Sequence, residues 1–159
     1  MILVLLGTQN NSFKRLLEEI DNLINKKAIT EDVIVQAGYT KYETENMEIL
    51  DLISKEKLDE LQDKASIIIT HGGVGSIISS IKKGKKVIAI PRLYEYQEHV
   101  NDHQKEIVEK FNEQNYIIGL KDVKDLEKAV IKIPDFNPEK YLLNNKKMLD
   151  IIESFIERI

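Results

Sequence analysis

Short apolar runs without polar alternation recur along this 159-residue chain, and stretches of helical periodicity separate them. That rhythm constrains the fold more than any single residue does. A strand with one face in water alternates apolar and polar side chains, whereas an unbroken apolar run is buried on both faces. Ile2 to Leu6, Ile67 to Thr70 and Val87 to Ile90 are unbroken runs, and Asp32 to Gln36 reads as a short strand. Phe13, Leu16, Leu17, Ile20, Leu23 and Ile24 fall on one helical face, as do Val74, Ile77, Ile78 and Ile81. Leu58 and Leu61 lie in a third such segment, Ser54 to Lys64, with Ser54 as its N-cap; Val100, Gln104, Ile107, Val108 and Phe111 mark a fourth. Met47 to Leu50 and Tyr116 to Ile118 are expected as further short strands, and Leu126, Ala129 and Val130 as a short helix. From about Pro138 to the end, Met148, Leu149, Ile152, Phe155, Ile156 and Ile159 predict one long amphipathic helix. Strands and helices alternating in this way make an α/β protein with a doubly wound parallel sheet covered on both faces. One domain over residues 1–159 accommodates all of it, since the chain shows no repeat, low-complexity tract or interior linker.

Sheets of this kind bind ligands in the crevice beyond the carboxyl ends of their strands. Three polar or glycine-rich loops should converge there: Gly7-Thr8-Gln9-Asn10, His71 to Ser76, and Arg92 to Gln104. The middle one, His71-Gly72-Gly73-Val74-Gly75-Ser76, joins a strand to a helix. Its glycines let the backbone approach a ligand closely, and the helix start turns unpaired N–H groups and a positive dipole end toward an anion. The pattern lacks the Walker lysine of a P-loop and the third glycine of the dinucleotide fingerprint, and it does not follow the first strand. A P-loop NTPase and an NAD-dependent oxidoreductase are therefore poor fits. Diphosphate binding suits the turn better, with Ser76 adding a hydroxyl; His71 either bonds a phosphate or satisfies backbone groups at the turn.

On the helix that starts near Asn101, Gln104 falls inside the apolar stripe and His103 on its flank. A glutamine there needs a partner, because an unmade buried hydrogen bond costs ~1–3 kcal/mol. Sugar hydroxyls would serve, and so would nearby backbone. Asp102 is either part of that site or a helix cap, and His99 either a ligand or an ordinary loop residue. Lys82, Lys83, Lys85 and Lys86 bracket Gly84 and are read as complements to a helix carboxyl end rather than as a membrane patch. The net charge of −4 gives no global footprint for nucleic acid, and the three histidines lack a metal-ligand spacing. The absence of cysteine excludes thiolate sites and fits a reducing cytoplasm. Met1 to Leu6 is too short, and too poor in basic residues, to be read as a signal peptide.

Three segments carry a family resemblance: Val4-Leu5-Leu6-Gly7-Thr8-Gln9, Thr70 to Ile77, and Pro91-Arg92 followed by Glu98-His99-Val100-Asn101-Asp102-His103-Gln104. Over Ile2 to about Gly119 the chain resembles the carboxyl-terminal, donor-binding half of family 28 glycosyltransferases. It is most similar to the stand-alone subunits of eukaryotic UDP-GlcNAc transferase and of bacterial capsular and exopolysaccharide transferases. The resemblance implies a Rossmann-like domain that is one half of a GT-B fold. It implies a hexosyltransferase, inverting and metal-independent, with no cofactor and a UDP-sugar as substrate. Gly72, Gly73, Gly75 and Ser76 would hold the diphosphate, and Asp102, His103 and Gln104 the donor sugar. Gly7, Thr8, Gln9 and Arg92 would line the cleft. Relatives often place an acidic residue for the ribose where this chain has Ser79. The general base is not assigned; His71 and His99 are the candidates within the chain. The implied partner is a membrane-anchored, acceptor-binding subunit presenting a lipid-linked saccharide, which would recruit this cytoplasmic chain to the inner face of the membrane. A non-catalytic nucleotide-binding module that regulates or scaffolds a partner is the alternative.

Overall fold

The computed structural model describes residues 1–142 and 146–156, with the backbone alone considered at 147, 155 and 156. Strands β1 (Ile2–Leu5), β2 (Val33–Gln36), β3 (Glu48–Leu50), β4 (Ile67–His71), β5 (Lys86–Ile90) and β6 (Ile118–Gly119) form one sheet. Their order is β3-β2-β1-β4-β5-β6, and every neighbouring pair is parallel. The helices are α1 (Lys14–Asn25), α2 (Lys55–Lys64), α3 (Val74–Lys82), α4 (His103–Glu113), α5 (Leu126–Lys132) and α6 (Lys146–Ile156). This is the expected doubly wound, Rossmann-like arrangement.

Period-two alternation along each strand sends successive side chains to opposite faces. On β1 and the residue after it, Ile2, Val4 and Leu6 join one core with Leu16, Leu17, Ile20 and Leu23 of α1 and Leu126 and Ala129 of α5. Leu3 and Leu5 join the other, with residues of α2, α3, α4 and α6 such as Leu61, Ile77, Val108 and Met148. Burying each such side chain stabilises by about 1.5–3 kcal/mol, which is why an unbroken apolar run reads as a central strand.

Local signals set the ends of the elements. The Ser54 hydroxyl accepts from Lys57 N–H at 3.1 Å and starts α2. Gly84, at φ +73°, closes α3 in the left-handed region, its N–H bonded to Ile81 O. Of the lysines around it, Lys83 is tied to Asp63 at 2.7 Å, Lys85 to Asp63 O and Lys86 to Pro134 O.

Two expectations shift. The strand expected over Tyr116 to Ile118 is β6 at Ile118–Gly119, because Tyr116 N–H is used by Phe111 O at the end of α4 rather than by a ladder. The helix expected from about Pro138 spans Lys146–Ile156 within the described residues, and residues 136–142 have no regular structure. Their backbone is committed elsewhere: Glu139 N–H donates to Asn115 O and Asn115 Nδ2 donates to Asn137 O. Of the expected stripe on α6, Met148 is buried and Ile152 half-buried, but Leu149 is exposed and Ile151, outside that stripe, is buried instead; the assignment of Ile159 lies outside the described residues and those of Phe155 and Ile156 outside the described side chains.

Candidate functional site

Strand order reverses between β1 and β4, so the loops that leave these two strands part and open a crevice. A cavity of about 380 Å³ occupies it, lined by Gly7, Thr8, Gln36, His71, Gly73, Gly75, Ser76 and Ser79, with Leu52, Ile53 and Leu58 as an apolar wall. Among the described residues, the larger cleft at the amino ends of β1 and β2 carries no comparable convergence of polar groups and glycine backbone.

The crevice is built by backbones that come too close for side chains. Gly7 sits at φ +75°, and a Cβ on it would fall 2.6 Å from His71 Nε2. A Cβ on Gly73 would fall 2.3 Å from His71 Cε1. The imidazole is thus slotted between two glycines, 7% exposed. Gln36 at the end of β2 clamps the first loop, accepting from Gly7 N–H at 3.2 Å and donating to Gly7 O at 3.0 Å. On the other side of His71, Gly73 is the N-cap of α3 and offers its first N–H groups no side-chain partner. Nothing lies within 4 Å of a Cβ placed on Gly75, which leaves the helix start open to the crevice.

Gln104 lies beneath this turn, 4% exposed. Its Oε1 accepts from Gly72 N–H and Arg92 N–H, both at 3.0 Å, and its Nε2 meets His71 Nδ1 at 3.1 Å. His71 Nε2 faces Ser76 Oγ at 3.4 Å. Burial, then the nearby Arg92 guanidinium, push the His71 pKa down to about 3, so the ring is neutral at physiological pH.

Arg92 is not a cleft residue in this structure. It is 1% exposed and braces two loops from below, donating to Leu6 O and Asn11 O in the loop after β1 and to Glu98 O in the loop before α4, over the ring of Phe13. Burial lowers its pKa to about 10, which leaves it cationic. The Glu98 carboxylate pairs bidentately with Arg15 and accepts from Leu93 N–H, fixing the loop ahead of α4. From the loop after β1 the Gln9 amide meets His99 Nε2 at 2.9 Å, and Asn101 N–H donates to His99 Nδ1 at 3.3 Å. Burial and Arg92 lower the His99 pKa as well.

The structure therefore brings Gly7, Thr8, His71, Gly73, Gly75, Ser76 and Ser79 to one cavity, with Gln104 directly behind and Gln9 with His99 beside it. Asp102 and His103 are exposed at the amino end of α4 and do not line it. Asp102 accepts from Tyr94 N–H rather than capping α4, and Asn101 Oδ1 accepts from His103 N–H. Ser79 Oγ donates to Ser76 O and accepts from Gln62 Nε2. Sequence reasoning missed Gln36, Gln62 and the Leu52–Ile53 wall, and it gave Glu98 no role and no partner in Arg15. Gln36 carried one signal, a polar side chain ending an apolar strand two residues before a glycine; the wall carried none, because two apolar residues in a loop read as ordinary.

Comparison with known proteins agrees with this architecture. A stretch of 93 residues, 58% of the chain, is 29% identical to the UDP-N-acetylglucosamine transferase subunit ALG13 of Candida albicans, and the chain spans 30% of that relative's length. The solution structure of ALG13 superposes with a TM-score of 0.62 at 15% identity, covering 95% of this chain and 93% of that one. MurG of Acinetobacter baumannii superposes with a TM-score of 0.54 at 14% identity over 98% of this chain but 49% of its own. The model of the glycosyltransferase family 28 C-terminal domain matches residues 1–159. The chain therefore belongs to the glycosyltransferase family 28 C-terminal domain family.

Proposed function

We propose that this chain is the donor-binding subunit of a two-component hexosyltransferase, taking a UDP-sugar in the β1–β4 crevice and acting with a membrane-anchored, acceptor-binding subunit. The observation that carries the reading is the convergence of the uncapped start of α3, Ser76 Oγ and the ring of His71 on one cavity whose opposite wall is apolar. The N–H groups at the start of α3 and the helix dipole suit a diphosphate, and the Leu52–Ile53 wall suits a base plane. Ser79, held by Gln62, faces the ribose between them. Asp102 and His103, exposed beside His99, meet the sugar, and Gln104 supports the loops beneath. Gly7, Thr8 and Gln9 face the acceptor half.

In such a transfer an acceptor hydroxyl attacks the anomeric carbon and UDP leaves with the bonding electrons. Charge develops on the diphosphate, where preorganised donors at the α3 terminus stabilise it without reorganisation. The acceptor proton needs a base, and in this chain His99 already holds a Gln9 contact on Nε2 and a backbone N–H on Nδ1. We place the base on the partner. The acceptor is a lipid-linked saccharide of polysaccharide synthesis, and membrane recruitment of this cytoplasmic chain comes through the partner: among the described residues no helix is long and apolar enough to cross a membrane.

Protein-observed NMR titration with UDP, UDP-sugars, GDP-mannose and NAD tests the site. Shifts centred on Gly72 to Ser76 and on Leu52–Ile53 with uridine nucleotides are expected. A preference for NAD, or uridine-nucleotide shifts that avoid the crevice, overturns the reading. Sugar transfer should arise only on mixing with the acceptor-binding chain; UDP-sugar binding with no transfer by that pair would instead favour a regulatory nucleotide-binding module.

A further inference from the structure

Which nitrogen of His71 carries the proton decides what the ring can do to an anion, and the surrounding bonds fix the answer. One atom of the Gln104 amide takes two backbone N–H groups, those of Gly72 and Arg92, each at 3.0 Å. Only the oxygen can do so. The amide nitrogen is thereby turned to His71 Nδ1 at 3.1 Å and must donate to it. Nδ1 is then the lone-pair atom, and the proton of the neutral ring sits on Nε2. Nε2 is the atom that faces Ser76 Oγ and the crevice, and the glycine slot of Gly7 and Gly73 prevents the ring from turning over.

We propose that Gln104 is a positioning residue that locks His71 as the Nε2–H tautomer, so that a buried imidazole serves as a fixed hydrogen-bond donor to the diphosphate and not as a base. The diphosphate clause rests on the UDP reading above; the tautomer does not. The amide achieves this without charge, so the donor stays in place across the range in which an ordinary histidine titrates. Among the described residues, Arg92, just beyond β5, and His99, in the loop before α4, are the titratable groups that act on the ring, and both disfavour a second proton on it. Ser76 of α3, Gln104 of α4 and Gly7 after β1 are uncharged.

Long-range proton–nitrogen NMR of the histidine rings tests the lock on the unaltered chain. Nε2–H signals for His71, unchanged from pH 5 to 8, are expected; an Nδ1–H or exchanging ring overturns the proposal with no variant needed. Gln104→Glu then keeps the two acceptor contacts but presents an oxygen to Nδ1. Its His71 should shift to Nδ1–H and begin to titrate. UDP binding should fall about tenfold or more relative to the parent at pH 7.5 and recover as the ring is doubly protonated at lower pH. A merely structural role predicts the same loss at every pH, and that result overturns the proposed lock. If the parent ring is Nε2–H yet UDP fails to bind, the lock stands and the UDP reading fails.

Discussion

Acidifying the solution from pH 7.5 to 5.0 should cost this fold about 2 kcal/mol through His71 alone. The ring is 7% exposed and sits against Arg92, and its pKa is lowered to about 3. In the unfolded chain the ordinary value near 6.5 applies. The unfolded state therefore takes up a proton below pH 6.5 that the folded state refuses until about pH 3. The stability owed to the neutral ring is complete above pH 6.5 and is lost progressively as the pH falls toward the folded value. One proton of difference is worth about 1.36 kcal/mol per pH unit, and 1.5 units below 6.5 gives roughly 2 kcal/mol. Other groups contribute to the pH dependence of stability, so the measurement is a double difference. Urea unfolding of the parent and of His71→Gln, each at pH 7.5 and 5.0, cancels the groups the two proteins share. The parent should lose about 2 kcal/mol more than the variant. A difference below ~0.5 kcal/mol, or a His71 ring that titrates near 6.5 while the protein stays folded, would refute the argument that burial in the glycine slot keeps the ring neutral.

The glycines should separate into two kinds. Gly38→Ala places a Cβ 2.4 Å from Gly7 O at a φ of +60°, and urea melts should show a loss of several kcal/mol, on the order of 3. Gly75→Ala meets nothing within 4 Å, so stability should hold or rise by up to ~1 kcal/mol while UDP affinity falls as the methyl fills the mouth of the helix start. Equal effects at the two positions would sink the distinction. Arg92→Leu strips the partner from the carbonyls of Leu6, Asn11 and Glu98, and should cost about 3–5 kcal/mol by the same assay. A loss below ~1 kcal/mol would mean that water satisfies those carbonyls.

The layers of the fold were legible because burial on both faces leaves an unmistakable mark on a strand, and because caps such as Ser54 and Gly84 act within one turn of themselves. The errors fell where backbone groups take partners outside the segment being read, whether five residues back or more than twenty. Nothing within Tyr116 to Ile118 announces that the first N–H belongs to Phe111 O, and nothing near Pro138 announces Asn115. The site divides in the same way. The glycine turn could be read because its requirement is local: only a residue without Cβ lets the backbone lie against His71. Arg92 could not, because a cation after a strand end reads as a ligand contact, and its burial depends on three carbonyls drawn from Leu6, Asn11 and Glu98.

Gln104 shows how far local reasoning reaches. Its place in the apolar stripe demanded a partner, and both sugar and backbone could answer. The structure gives it two backbone N–H groups and a ring nitrogen, which together leave the amide no freedom to turn. A sugar contact by that side chain would have to use the one remaining amide proton. The polarity that marked Gln104 as functional in the sequence thus acts one residue away from the ligand, through the state of His71.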